Sequence, residues 1–459
     1  MQEKRQPPVT PGQHIELQID RLNHDGEGVG RFEGFTIFVP NTTAGDKIIA
    51  RVITLQKGYA RALLQSVLST SPTRITPPCD HYDACGGCQL QHIDYQEQLR
   101  LKTDLVRDAL TRIGGLSVPV LPTIGMDNPW HYRNKAQVPI GQDQNTIRAG
   151  FYEKRSHNIV DLTHCHIQHP ANDDVVHTVR RILTDLHISI YNEKEHTGLV
   201  RHLLARTSFT TNEVMVVIIT NGPHFPQAQQ FVERLRHDIP NISAIIQNIN
   251  TRRGNTILGD TEKTLWGCPY LTESLGKLQF HLSPRSFFQV NPTQTEVLYT
   301  IAKEYAALTG TQTVFDLYSG IGTISLFIAD SATKVVGVEI VEAAVKDAQQ
   351  NAQLNKITNT EFHTGAAEVV VPKLYKQGYK ADVVIVDPPR KGCEEILLQT
   401  MISMQPERIV YISCNPSTLA RDLKYLTANG YTLNEVQPID MFPHTSHVEA
   451  VVCLHRKHS

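Results

Sequence analysis

Residues 314–323, VFDLYSGIGT, form an apolar run that leads into a turn containing two glycines. An apolar run of this kind predicts a short buried strand, and the glycines predict a tight turn before a helix. Dehydrogenases and methyltransferases both use this strand–turn–helix order to bind a nucleotide. The third glycine of the dinucleotide fingerprint is absent here, because Ser325 stands in its place. The stretch therefore predicts an α/β nucleotide-binding fold and leaves the cofactor open.

The chain around this stretch alternates predicted helices and strands from about Ser286 onward. Asn291-Pro292 is typical of a helix start, and it predicts a helix from Thr293 toward Leu308. Short apolar runs then recur, and each ends beside a polar side chain: 335–338 before Glu339, 383–386 before Asp387, and 408–412 before Cys414. The order predicts a doubly wound sheet, and such folds bind ligands at the carboxyl ends of their strands.

Two features favour S-adenosylmethionine over a dinucleotide as the cofactor. Glu339 follows Gly320 by 19 residues, the spacing of a carboxylate that accepts ribose hydroxyls. Asp387-Pro388-Pro389 at the end of a strand is not a dehydrogenase feature. Together these features predict an S-adenosylmethionine-dependent methyltransferase domain.

Composition sets wide limits on the rest. A chain of 459 residues with 44 basic and 46 acidic side chains is typical of an ordinary globular protein of about three domains. A net charge of −2 neither requires nor excludes nucleic acid, because binding needs only a local basic surface. We find neither a membrane span nor a signal peptide, and expect a cytoplasmic monomer.

Residues 12–66 predict a small β-barrel. Ile15, Leu17 and Ile19 alternate with polar residues, and glycines separate the strand patterns. This region resembles the TRAM domain, an OB-like RNA-binding module, although the pattern alone fits any small barrel nearly as well. Residues 130–135, WHYRNK, mix aromatic and basic side chains and predict either an RNA contact or a solvated turn.

The cysteines of the central region predict a metal centre. Cys79, Cys85 and Cys88 surround a Gly-Gly turn, and Cys165 lies far downstream as a fourth candidate. Eight cysteines in a cytosolic chain are more often catalytic or metal-binding than disulfide-bonded. Structural zinc and a 4Fe–4S cluster both fit four thiolates. Nearby histidines provide alternative ligands: His81, His92, His164 and His166.

The sequence predicts three domains: a barrel over 1–68, a central α+β domain with the cysteines over 69–280, and a Rossmann-like methyltransferase domain over 281–459. Residues 94–113 read as an amphipathic helix with a capping-box-like start. Its apolar stripe needs a large partner surface, so we expect this helix to pack on the methyltransferase domain.

Five motifs carry a resemblance to a known family: 287–292 (FFQVNP), 316–322 (DLYSGIG), 387–390 (DPPR), 413–416 (SCNP) and 447–449 (HVE). With these motifs the chain resembles the RNA uracil-5-methyltransferases, and specifically their 23S rRNA branch with a TRAM domain and an iron–sulfur cluster. The resemblance favours 4Fe–4S over zinc at the four cysteines. It also implies that Gln289, Tyr318, Glu339 and Asp387 hold S-adenosylmethionine.

The chemistry of this family explains two further residues. Uracil C5 is a weak nucleophile, and a thiolate that adds to C6 makes C5 an enolate carbon that can attack a methyl group. Cys414 would be that thiolate, and Glu449 would remove the C5 proton. Cys393 is the rival nucleophile, but its position before a helix indicates a structural role. RNA with an unstacked uridine would be the substrate, most readily in a loop.

Other interpretations stay open from the sequence. The substrate could be tRNA instead of 23S rRNA. Asp387-Pro388-Pro389 is also similar to the signature of amino-group methyltransferases, although Arg390 replaces the aromatic residue there. A non-catalytic RNA-binding protein is a further alternative. One departure is that no acid directly follows Gly365 after the third strand, which leaves an adenine-binding role for Glu368 open.

Overall fold

The computed structural model describes residues 7–144 and 146–457. Its N-terminal part is a closed barrel with strand order β1-β2-β3-β5-β4. Alternating side chains of the barrel strands fill its interior, including Ile15, Leu17 and Ile19. The barrel strands are β1 (His14–Leu22), β2 (Gly28–Phe32), β3 (Phe35–Val39), β4 (Lys47–Leu55) and β5 (Tyr59–Ser69).

A seven-stranded mixed sheet forms the central part, with strand order β12-β11-β10-β9-β6-β7-β8. Its strands are β6 (Lys135–Asp143), β7 (Thr146–Tyr152), β8 (Ile159–Asp161), β9 (Val200–Thr207), β10 (Val214–Thr220), β11 (Ile242–Ile249) and β12 (Thr261–Gly267). Helices α2 (Pro170–Asp185) and α3 (Ala228–Asp238), numbered after the helix α1 described below, cover one face. The opposite face packs against the C-terminal part, because Leu204, Met215 and Val217 share a core with Phe288 and Leu298.

A hairpin of β13 (Leu271–Leu275) and β14 (Leu278–Leu282) leads into the C-terminal sheet, whose order is β17-β16-β15-β18-β19-β21-β20. The strands of this sheet are β15 (Thr313–Leu317), β16 (Lys334–Glu339), β17 (Thr360–Thr364), β18 (Val383–Val386), β19 (Arg408–Ser413), β20 (Tyr431–Ile439) and β21 (Glu449–Arg456). Strands β15 to β19 are parallel, and β21 runs antiparallel between β19 and β20. The doubly wound α/β sheet predicted from the sequence is confirmed.

Helix α4 (Pro292–Ala306) leads from the hairpin into β15. The helices that follow the parallel strands are α5 (Thr323–Ile328), α6 (Glu342–Leu354), α7 (Ala367–Lys376), α8 (Glu395–Met404) and α9 (Pro416–Ala428), with a 3₁₀ turn at Ala329–Ser331 after α5. The predicted start of α4 is confirmed, because the Asn291 side chain accepts a hydrogen bond from the backbone N–H of Gln294. The helix ends at Ala306, two residues before Leu308, and Ala307 caps it with a left-handed φ of 46°.

Helix α1 (Tyr95–Ala109) continues as a π-helical turn over Leu110–Gly114. Although it precedes the central sheet in sequence, it lies against the C-terminal sheet: Val106, Ala109 and Leu110 share a core with residues of α9 and β20. Deeper in the contact, Lys102 Nζ lies 2.5 Å from a carboxylate oxygen of Asp440, and both side chains are fully buried. These contacts join α1 to the C-terminal sheet and to the segment that precedes β21.

None of the helices in the described residues is long and apolar enough to cross a membrane.

Candidate active site

Four of the candidate residues lie at one edge of the C-terminal sheet. Tyr318 follows β15, Glu339 ends β16, Asp387 follows β18, and Cys414 follows β19. Because these four strands are parallel, their carboxyl ends meet at the same edge. The structure thus brings together side chains that are up to 96 residues apart in sequence (414 − 318).

The antiparallel strand β21 brings Glu449 to Cys414. Ser413 pairs with Ala450 in the register of β19 and β21. Cys414 directly follows Ser413 and Glu449 directly precedes Ala450, so the two residues lie at the same end of this strand pair, and the charge of Glu449 acts on the Cys414 thiol. Glu449 is buried, with 3% of its surface exposed, while Cys414 is half-buried. A thiol open to the surface therefore stands beside an enclosed carboxyl group.

Burial and neighbouring acids raise the pKa values of these groups. Burial, followed by the charges of Glu449 and Asp387, raises the pKa of the Cys414 thiol to about 12. Burial and the charge of Asp387 also raise the pKa of Glu449 well above its usual value, and the Arg390 guanidinium opposes both shifts. Burial raises the pKa of Asp387 to about 7, with a smaller contribution from Asp316. A cation brought to this edge would therefore favour ionisation of all three groups.

The turn after β15 is held by the predicted ribose-binding carboxylate. One oxygen of Glu339 accepts a hydrogen bond from the backbone N–H of Gly320 at 3.0 Å, and the other accepts from Val341 at 2.8 Å. Gly320 and Gly322 both have positive φ angles, of 55° and 80°, which glycine adopts without strain. The carboxylate is thus held in one orientation beside the turn.

Tyr318 has a backbone conformation that is unfavourable for its residue type. Its φ angle is 67°, and left-handed conformations of bulky residues persist only where their surroundings impose them. Here the backbone N–H groups of Tyr318 and Ser319 both donate to the carbonyl of Val338. The hydroxyl groups of both side chains are buried without a hydrogen-bond partner. Unpaired buried hydroxyls at the ends of strands are suited to a polar ligand.

The segment 283–291, which joins β14 to α4, carries Gln289. Gln289 is buried, and its carbonyl accepts a hydrogen bond from the side chain of Asn134. Phe287 in the same segment is 64% exposed, which is unusual for a phenylalanine in a structured loop. Sequence reasoning missed Phe287, although its position two residues before Gln289 was a signal.

Two further sequence candidates, Cys393 and Glu368, act electrostatically on Tyr318. Cys393 is buried in the core, where burial raises its pKa to about 12 and its N–H donates to Asp422. This environment fits the structural role predicted for Cys393. Glu368 lies half-buried in the first turn of α7, three residues beyond Gly365.

The four predicted metal-binding cysteines, Cys79, Cys85, Cys88 and Cys165, line one cavity of about 240 Å³. Tyr82, Arg133 and Ile167 are among the other residues that line it. Within residues 7–144 and 146–457, no three His, Cys, Asp or Glu side chains converge closely enough to hold a single metal ion. The thiolates of an iron–sulfur cluster bind separate iron atoms, so they need not converge on one point. Four thiols around one small cavity therefore fit the donor set of a cluster.

The nearby histidines have other contacts. The Nδ1 atom of His92 lies 2.6 Å from the Tyr82 hydroxyl, and the Nδ1 atom of His164 lies 3.0 Å from a carboxylate oxygen of Asp173. Burial raises the pKa values of Cys88 and Cys165 to about 12. Without a cationic centre these two cysteines would therefore remain neutral thiols.

The sheet order and the glycine turn define the class of the protein: it has the fold of the class I, S-adenosylmethionine-dependent methyltransferases. A family model described as tRNA (uracil-5-)-methyltransferase matches residues 94–457, and a TRAM model matches residues 8–64. The chain belongs to the RNA uracil-5-methyltransferase family and carries an N-terminal TRAM domain. Membership of an enzyme family sets aside the non-catalytic alternative.

Relatives and a solved structure agree with this assignment. The chain is 49% identical to a protein of Halalkalibacterium halodurans named as an uncharacterized RNA methyltransferase, over 99% of both chains. A protein of Listeria monocytogenes with the same description is 48% identical over 97% of this chain and 98% of the relative. The structure is similar to that of the Pyrococcus abyssi tRNA (uracil-54, C5)-methyltransferase in complex with S-adenosyl-L-homocysteine, with a TM-score of 0.77 and 30% identity over 95% of this chain and 99% of that one.

Proposed function

We propose that this protein methylates C5 of uridine in RNA through a covalent bond between Cys414 and C6 of the base. The observation that carries the proposal is that the pairing of β19 and β21 ends at Ser413 and Ala450, so Cys414 and the buried Glu449 are the next residues on the two chains, and the charge of Glu449 acts on the Cys414 thiol. Covalent activation needs a nucleophile and a base at the same carbon–carbon bond. An amino-group methyltransferase needs neither residue, so this pair favours the uracil-5 reaction.

The steps follow from these two side chains. The Cys414 thiolate adds to C6, the C5=C6 electrons move to the C4 carbonyl oxygen, and an enolate forms. S-adenosylmethionine supplies the methyl group to C5 when it is bound, and Gln289, Tyr318, Glu339 and Asp387 would hold it. The Glu449 carboxylate then takes the C5 proton, the double bond re-forms, and Cys414 leaves as a thiolate.

Both reacting side chains must lose a proton before they act. The Arg390 guanidinium favours loss of these protons, because its charge lowers the pKa values of both Cys414 and Glu449. Its carbonyl accepts hydrogen bonds from the Asn415 side chain and the Thr418 hydroxyl, which ties Arg390 to the loop after Cys414. We propose that Arg390 helps to ionise the thiol.

This role predicts a pH effect on the free enzyme. Alkylation of Cys414 by iodoacetamide should accelerate as pH rises through 8–10, because the thiolate fraction grows tenfold per pH unit below the pKa. Arg390→Gln should slow alkylation at each pH, since removal of the positive charge raises the thiol pKa further, and Arg390→Lys should restore most of the rate. Peptide mass mapping measures the extent of alkylation at Cys414, with alkylation of the exposed Cys268 as the internal reference. Equal rates in the wild type and Arg390→Gln would contradict the role.

We propose 23S rRNA as the substrate, on the resemblance to the branch that combines a TRAM domain with four cysteines. The alternative is tRNA, which the matched family model and the Pyrococcus abyssi enzyme both name. Mapping of 5-methyluridine in rRNA and tRNA from a strain that lacks this protein decides between them. Loss of the modification from rRNA alone supports the proposal, and loss from tRNA alone overturns it in favour of the alternative.

We also propose that the cavity lined by Cys79, Cys85, Cys88 and Cys165 holds one 4Fe–4S cluster with a structural or RNA-gripping role. Protein purified without oxygen should then be brown and contain about four irons and four inorganic sulfides per chain. Cys88→Ser should lose most of the iron, whereas Cys268→Ser, at an exposed cysteine outside the cavity, should retain it. A colourless protein with one zinc per chain would contradict the cluster.

A further inference from the structure

Two cations lie opposite each other where β6 begins. Lys135 pairs directly with Arg206 in the antiparallel register of β6 and β9. Directly opposed residues place their side chains on the same face, and like charges in that arrangement repel. Burial, then the charges of Arg206 and Arg133, lowers the pKa of Lys135 to about 7. The fold thus places a lysine where its charge is disfavoured.

The described residues supply no counter-charge for Lys135. No carboxylate in 7–144 or 146–457 forms an ion pair with Lys135 or with Arg133, which lies two residues earlier. Glu273 is the acid that acts on Arg206, but its oxygens accept hydrogen bonds from Ser208, Phe209 and Thr210. An anion from outside the chain is therefore the group that this cluster lacks.

The cluster borders the active-site edge. Arg206 donates to the carbonyls of Ser283 and Ser286, and Asn134, between Arg133 and Lys135, donates its backbone N–H to Val290. These contacts bracket the segment that carries Gln289 and the exposed Phe287. Arg206 also shares its face of β9 with Leu204, which packs in the core between the central and C-terminal sheets. Lys135 therefore faces the junction between the central sheet and the C-terminal part.

Arg133 is a further cation that acts on Lys135 and also on a residue near the catalytic pair. Its charge acts on His447, which Arg390 also contacts through its guanidinium at 3.2 Å. Arg390 in turn acts on Cys414 and Glu449. Arg133 therefore acts both on Lys135 and on His447, and His447 in turn contacts the cation that acts on the nucleophile.

We propose that Lys135 and Arg133 bind the phosphodiester backbone of the RNA strand next to the target uridine, with Arg206 holding the loop 283–290 beside them. This inference rests on the proposed function and adds the backbone site of the same substrate. Proteins bind a single strand through cations along its phosphates, while its bases stack on aromatic side chains or contact polar groups. Phosphate binding would also stabilise the protonated form of Lys135.

The test measures how salt affects RNA binding, because each phosphate contact releases bound counterions. The probe is a single-stranded uridine-containing oligonucleotide, compared with the same oligonucleotide carrying uncharged methylphosphonate linkages. Lys135→Gln should reduce the slope of log affinity against log salt by about 0.7, and the double variant with Arg133→Gln by about 1.4. Lys135→Arg should restore the slope. Lys263→Gln, at an exposed lysine three strands from β9 in the same sheet, should leave it unchanged.

Three results would overturn the site. One is an unchanged salt slope in the double variant. Another is an unchanged RNA affinity with weaker binding of S-adenosyl-L-homocysteine, which would assign the cluster to the carboxylate of the cofactor instead. Equal losses on the charged and the uncharged oligonucleotide would also contradict a phosphate contact. Binding is measured without turnover, so a wild type that binds RNA by this slope but forms no 5-methyluridine would contradict only the proposed function.

Discussion

A Glu449→Gln variant is expected to accumulate a covalent protein–RNA complex whose uracil already carries the new methyl group. Thiolate addition and methyl transfer do not need this base, but the C5 proton must leave before Cys414 can be eliminated. Turnover should fall by about 10²–10⁴-fold, the usual contribution of a general base. A denaturing gel with labelled methyl donor detects the complex, because protein, RNA and label migrate together.

Cys414→Ala provides the opposite outcome. It should form neither the complex nor the product, because the nucleophile that attacks C6 has been removed. Wild-type enzyme with 5-fluorouridine RNA should stop at the same stage as Glu449→Gln, because fluorine cannot leave C5 as a proton. Normal turnover by Glu449→Gln, or an adduct in Cys414→Ala, would contradict the roles assigned here.

Asp387 is the rival base, because it acts electrostatically on both Cys414 and Glu449 and its pKa lies near 7. Binding of the cofactor product should distinguish the two carboxyl groups. Asp387→Asn should weaken binding of S-adenosyl-L-homocysteine if Asp387 holds the cofactor, whereas Glu449→Gln should leave that binding unchanged. A trapped methylated adduct in Asp387→Asn, with normal turnover in Glu449→Gln, would exchange the two roles.

Local pattern was enough to predict most of this edge. Short apolar runs predicted β15, β16, β18 and β19, and a polar residue just past three of these runs marked Glu339, Asp387 and Cys414. Strand β17 (TEFHT) has no such run. The place of Glu449 was also predictable, because a final strand can pair only with the existing sheet. Its register with β19 was not, since register depends on how whole strands pack.

Contacts between distant parts of the chain had no local signal. The opposition of Lys135 and Arg206 arises from pairing between β6 and β9, and each cation looks ordinary in its own stretch. Lys102 likewise stands in a helix with many charged residues, and its partner Asp440 lies 338 residues away. The helix was predicted to contact the methyltransferase domain from its apolar stripe, but the stripe does not reveal a buried lysine beside it.

That buried lysine gives the largest expected effect on stability. Lys102 Nζ is 2.5 Å from one oxygen of Asp440 and donates to the carbonyl of Phe442, while the Tyr95 hydroxyl donates to the other Asp440 oxygen. Lys102→Met should destabilise the protein by about 3–5 kcal/mol, because Asp440 would remain as a buried charge without its cation. Urea unfolding measures the loss. Arg100→Met, in the same helix but at an exposed ion pair, should cost about 1 kcal/mol or less.

Replacement of both Lys102 and Asp440 distinguishes two causes of the lost stability, the unpaired buried charge of Asp440 and the lost packing of the lysine stem. In Lys102→Met with Asp440→Leu neither charge is left buried, so much of the lost stability should return. Trp130 provides a local probe, because its ring stacks on His444, four residues after Asp440, with centroids 3.6 Å apart. In a Trp266→Phe background, its fluorescence should change in the single variant at low urea and recover in the double variant. If the double variant is no more stable than Lys102→Met, the loss comes from packing of the lysine stem, and the buried charge of Asp440 is not its cause.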